Sequence, residues 1–174
     1  MKIQRLAALG LLLGALGAAP KDAPLVVRVP TPDQLVSKIH AVDQMEMDAG
    51  RLAQKKGSTE GVRRYGLVLQ RDHALADRRV MGLARAQGLR VAAVPPTAEE
   101  EAAMTRLHHL TGPAFDEAFL QTMIAGHERV LGLLREARQD TPDVRLGALI
   151  ARLIPILEQH DQLAGGLSDT LHGG

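Results

Sequence analysis

The chain has 174 residues, enough for one compact domain, and a formal net charge of +1. It is 45% hydrophobic but has only two Phe, one Tyr and no Trp, so its core must be aliphatic, which suits packed helices better than a β-sandwich. The absence of cysteine excludes disulfides, thiolate metal sites, iron–sulfur clusters, a cysteine nucleophile and a lipidated N-terminal cysteine.

The first segment reads as an export signal. Lys2 and Arg5 precede an apolar run from Leu6 to Leu16, the length of a signal core and too short for a membrane span. Cleavage after Gly17 would use the small residues Ala15 and Gly17, whereas cleavage after Ala19 would leave Pro20 at the new terminus. Residues 1–19 are assigned as the signal segment and 20–31 as a proline-containing leader. The expected product is an exported protein, periplasmic or secreted. Without Lys2 and Arg5 the balance is 19 basic to 20 acidic residues, and no basic patch for nucleic acid is present. No later segment is long and charge-free enough to span a bilayer.

The folded domain is expected over residues 32–171. A first long helix opens at "TPDQL", with Thr31 as N-cap and Pro32 in the first turn, and ends at Gly57. Its apolar stripe runs Leu35, Ile39, Val42, Ala49, Ala53. A second begins near Ser58–Glu60, carries Val62, Tyr65, Leu69, Ala76, Val80 and Leu83, and closes at Gly88. The long connection that follows holds a short helix, opened by a Thr97/Glu100 capping box and ending near His109. A third long helix starts around "TGPAFDEAF" with stripe Leu120, Met123, Leu131, Leu134. The fourth starts at "TPDV", with stripe Leu146, Leu149, Leu153, Ile156, Leu163 and Leu167. Pro155 should kink or break it. The two halves align faintly at an offset of 82, which sets Glu46 on Glu128. Short loop, long crossover and short loop point to an all-α four-helix bundle of two antiparallel hairpins.

Each long helix spends one stripe position on an ionisable residue: Glu46, His73, His127 and His160. Three imidazoles and one carboxylate in a water-poor bundle make a site for a divalent first-row metal such as zinc, copper or iron. Asp72, Glu128 and Asp161 each adjoin one of the histidines, and could orient ligands on neighbouring helices. Met45 and Met123 would favour copper if their thioethers turn inward. His40 is placed in the site or at its outer edge, and His108, His109 and His172 in solvent. Counted from the loops, Glu46 and His73 differ in height by about 4–5 Å, and His127 and His160 by about 10 Å. The same four residues could instead form a buried hydrogen-bonded network without metal.

"VDQMEMDAGRLA", "VRRYGLVLQRDHALAD", "LTGPAFDEAFLQTMIAGHERVL" and "LIPILEQHDQLA" together resemble the DUF4142 family over about residues 33–168. The resemblance implies an exported bacterial protein, often labelled an outer-membrane protein, with a ferritin-like four-helix fold. Its motif positions fall on Glu46, His73, His127 and His160. It implies no activity. Di-iron proteins of ferritin type carry Glu-x-x-His on two helices, but Gln70, Ile124 and Leu157 stand three residues before the histidines here.

Two functional readings follow. One is metal sequestration, buffering or envelope-stress protection through the inward His and Glu residues. The other is a structural or interaction module of the envelope with a polar core network. No glycine-rich phosphate loop or serine nucleophile motif supports an enzyme.

Overall fold

The computed structural model describes residues 30–173. The expected signal segment, and the leader up to residue 29, lie outside the described residues. All five elements are helical: α1 (Pro32–Lys56), α2 (Glu60–Gln87), α3 (Ala98–His109), α4 (Gly112–Asp140) and α5 (Val144–His172). No strand occurs among the described residues, and no helix there is long and apolar enough to cross a membrane.

Local chemistry fixes most helix ends as the sequence predicts. Thr31 caps α1 and receives the Gln34 side chain in return, so two otherwise unpaired amides are satisfied. Thr97 and Glu100 form the same box at α3. Gly88 ends α2 in the left-handed region, which costs glycine little. The opening of α5 differs from the expectation. Asp143, not Thr141, is its N-cap, accepting from the amides of Arg145 and Leu146, while Thr141 ends α4. The "TPD" repeat is therefore used in two registers. Pro155 does not break α5, which runs through it. Its ring faces solvent, where water can reach a carbonyl left without an amide partner.

α1 and α2 are the most closely apposed pair. At their crossing Gly50 meets Gly66, and a Cβ on Gly66 would lie 2.6 Å from the Gly50 carbonyl oxygen. Only the absence of both side chains lets the backbones approach so far. The loop between these helices is clamped by fully buried Asp116 of α4. One carboxylate oxygen accepts from the Ser58 amide at 2.8 Å; the other accepts from the Ser58 hydroxyl at 2.7 Å and the Thr59 amide at 3.0 Å.

The four long helices pack as a bundle around two apolar clusters. One contains Ile39, Ala76, Leu131 and Leu157. The other contains Ala49, Leu69, Met123 and Ala164. Between these levels every long helix contributes an ionisable residue: Asp43 and Glu46 from α1, His73 from α2, His127 from α4 and His160 from α5. A polar layer thus sits between two hydrophobic plugs.

Candidate metal centre

His73, His127 and His160 are 3%, 1% and 0% exposed. Their ring centroids stand 5.3 Å (His73–His160), 5.4 Å (His127–His160) and 6.0 Å (His73–His127) apart. One ligating atom of each lies within 4.8 Å of the others. The three imidazoles predicted from helical periodicity therefore converge.

Each ring is held from behind. The Met123 carbonyl, 2.7 Å away, accepts from His127 Nδ1, which must carry the proton because a carbonyl cannot donate. His73 Nδ1 lies 2.7 Å from Asp43 Oδ1, and His160 Nε2 lies 3.1 Å from Asp72 Oδ2. The remaining nitrogens, His73 Nε2, His127 Nε2 and His160 Nδ1, are buried and have no hydrogen-bond partner. A carboxyl or carbonyl group behind one nitrogen, with the other nitrogen left unpaired, is the arrangement that metal-binding histidines adopt.

The electrostatics favour neutral rings. Burial lowers the pKa of His73 against the pull of Glu46, and burial together with the His73 charge takes His160 down to about 4. Burial pushes Asp43 up to about 8, with the Asp77 charge adding to it. Burial alone would raise Asp72 too, but hydrogen bonds from Arg71 and His160 outweigh it and hold Asp72 below its ordinary value. Neutral imidazole is the form that binds a metal ion.

Glu46 is also buried, at 2% exposure, but its carboxylate is not among the three converging atoms. It lies beside them. Oε1 stands against Gly126, the residue before His127, and Oε2 has no partner. His40 stays outside the cluster and pairs with Asp77 at 2.5 Å on the half-exposed edge of the layer. His108, His109 and His172 are exposed, as expected.

Several sequence expectations need correction. The predicted 10 Å offset between His127 and His160 is absent. That count takes the turn residues 141–143 as helical rise, which a chain reversal does not supply. Measured from the helix ends, His127 lies 13 residues before the close of α4 and His160 lies 16 after the start of α5. They differ by about one turn, roughly 4–5 Å, which side chains can span. The lower stripe of α5 also shifts: Leu157 and Ala164 are buried, whereas Ile156 is half-buried and Leu163 is 40% exposed. Leucine outranks alanine in hydrophobicity, but position on the helix decides. On α2, likewise, Ala84 is buried and Leu83 only partly so. Of the three acids expected to orient ligands, Asp72 touches one of the clustered histidines, reaching His160 across the interface. Glu128 is exposed, so the internal repeat does not equate it with buried Glu46. Asp161 keeps one oxygen buried and unpaired. The thioether of Met123 packs in the lower apolar cluster, and Met45 lines a groove against α3.

Two supporting groups lie beyond the sequence expectations: Asp43 and the Met123 carbonyl. Asp43 is legible by a simple count. It lies 13 residues before the end of α1 and His73 lies 13 after the start of α2, which sets them at one level.

Fold and site together define an all-helical protein whose core is interrupted by one buried histidine cluster. The chain belongs to the family described as "Domain of unknown function (DUF4142)", which matches residues 17–167. Its structure is similar to a solved structure described as "CopM in the Cu(II)-bound form". The TM-score is 0.70 and the identity 12%, covering 82% of this chain and 99% of the other. No protein among those of curated function matches the sequence.

Proposed function

We propose that this chain is an exported metal-binding protein of ferritin-like four-helix type, which holds one divalent first-row ion in its polar layer. Its ligands are His73 Nε2, His127 Nε2 and His160 Nδ1, with the Glu46 carboxylate turning in as the fourth. The role that fits is sequestration or buffering of the ion. The observation that carries this reading is that three buried histidines each bring a ligating nitrogen within 4.8 Å of the others and each keep one ring nitrogen without a partner. Leaving such atoms unpaired costs roughly 1–3 kcal/mol each, so a fold that keeps three of them together is built for a ligand that accepts lone pairs. Three imidazoles suit copper(II) and zinc(II). That the structurally similar CopM was solved in a Cu(II)-bound form adds weight to copper.

Tyr65 supplies the assay. It is the only tyrosine, the chain has no tryptophan, and its ring centroid lies 6.4 Å from that of His160. Copper(II) bound at the histidines should quench tyrosine emission and saturate at one ion per chain. His73→Leu and His127→Leu should abolish saturable quenching. Equal uptake by wild type and both variants would remove the proposed centre.

A further inference from the structure

We propose that the outer face shared by α2 and α5 docks this protein on the surface of an anionic phospholipid bilayer, with arginines on lipid phosphates and leucines between them at the acyl boundary. The proposal does not draw on the metal centre. It starts from the way the two helices lie together. Gly61 meets Leu167, Asp72 bonds His160, and Gln87 bonds Asp143, so α2 and α5 run antiparallel, side by side. Leu163 falls between His160 and Leu167 on the same flank of α5, and those contacts set it level with Leu67 of α2. By the same pairing Arg152 comes level with Arg78 and Arg79, and Arg145 with Arg85.

Arg64, Leu67, Arg71, Leu75 and Arg78 recur every three or four residues on α2 and are all exposed, so they form its outward stripe. Three of the four large apolar side chains exposed among the described residues lie on this face: Leu67 at 56%, Leu75 at 38% and Leu163 at 40%. Every basic residue on it is arginine, since neither helix contains lysine. Arg64 pairs with Glu60 and Arg71 with Asp72. Arg78, Arg79, Arg85, Arg145 and Arg152 are exposed and make no ion pair among the described residues. The sequence shows no basic patch because these arginines are spaced at helical intervals and divided between two helices. Packing assembles one, about 30 Å long from Arg64 to Arg85.

The chemistry selects the occupant. A guanidinium presents a planar fork that matches phosphate oxygens two at a time. A soluble polyanion would satisfy the arginines but leave the leucines in water. An anionic bilayer offers phosphates and, just beneath them, acyl chains, so both sets of side chains gain from one layer. An acidic protein fits less well. Protein interfaces are anchored by aromatic side chains, and Tyr65, Phe115 and Phe119, which are all the aromatics of this chain, are buried.

The experiment is co-sedimentation with vesicles of phosphatidylcholine alone or mixed equally with phosphatidylglycerol. The protein is used without residues 1–19, so that the apolar leader cannot bind lipid by itself; all five helices begin after residue 31. Wild type should bind the mixed vesicles, ignore the neutral ones, and be released by about 0.5 M salt. The double variant Arg78→Gln/Arg79→Gln should lose about tenfold in partition or more. Leu67→Ser/Leu163→Ser should also lose about tenfold on vesicles, yet elute unchanged from immobilised heparin. Arg106→Gln/Arg129→Gln, which removes the same charge from α3 and α4, should change binding less than about twofold. All these positions are at the surface, so melting temperatures should stay level. No binding to the mixed vesicles, equal binding to neutral ones, an equal loss in the α3–α4 variant, or no loss in the leucine variant would each overturn the proposal. Heparin retention without vesicle binding would assign the face to a soluble polyanion instead, and retention on an acidic protein alone would assign it to a protein partner; either result overturns the membrane reading.

Discussion

Two buried acidic regions in this molecule have opposite characters. At the α1–α2 loop, Asp116 is fully enclosed and its two oxygens receive three hydrogen bonds from Ser58 and Thr59. In the polar layer, Glu46 and the three histidines are equally enclosed, yet each keeps a polar atom with no partner. A satisfied buried carboxylate ties the chain together and asks for nothing more. An unsatisfied cluster lowers the stability of the metal-free fold and supplies a place where a ligand gains more than it could from solvent-exposed groups. The first region reads as architecture and the second as function.

The comparison can be tested by perturbing each region in turn. The largest loss of stability should come from Asp116→Ala, which removes the buried clamp on the α1–α2 loop and takes their shared acceptor from the Ser58 and Thr59 amides and the Ser58 hydroxyl. Chemical denaturation should register about 3 kcal/mol or more. His160→Leu should behave in the opposite way. It replaces a ring that burial keeps uncharged by an apolar side chain of similar size, so the metal-free protein should melt no lower than wild type. Its metal affinity should fall at least about a hundredfold, as expected for loss of a ligand. If His160→Leu were as destabilising as Asp116→Ala, the layer would be structural and the contrast would fail.

A smaller effect should follow from Asp72→Asn. The carboxamide retains an oxygen that can accept from His160 but loses the charge, so affinity should fall about tenfold with little change in melting temperature. Smallest of all should be Glu100→Gln at the start of α3. Glu100 is a satisfied acid near the surface: burial would raise its pKa, but hydrogen bonds from Thr97 and Lys38 hold it below the ordinary value. A carboxylate depressed in the folded state contributes stability above its unfolded pKa of 4.5, and that contribution disappears as pH falls through the lower folded value. Because Glu100 is close to solvent, the contribution should be under about 1 kcal/mol. Thermal melts of wild type should therefore lose a small increment below pH 4.5 that Glu100→Gln lacks.

Much of this is legible in the residues alone. Thr31, Gly57, Thr97 and Gly88 mark helix ends through local chemistry, since capping and left-handed glycine depend on neighbouring residues. The inward placement of Glu46, His73, His127 and His160 follows from the 3.6-residue period, and all four are buried. The opening of α5 is ambiguous in sequence because Thr141 and Asp143 are both good caps, and only the path of the turn chooses between them.

The sequence by itself determined which way each of these side chains faces, because direction around a helix repeats every few residues. It did not determine how high each stands along the bundle. Axial level depends on how the loops reverse and how far one helix slides along another, and a sequence period carries no record of either. That is why His127 and His160, expected far apart, stand 5.4 Å apart, and why Glu46 is buried beside the histidines without joining them. The partner of His73, Asp43 on a different helix, follows from neither helix's period and becomes legible only when residues are counted from the ends of both. Tertiary packing alone converted four inward-facing residues into three converging imidazoles with one buried carboxylate beside them.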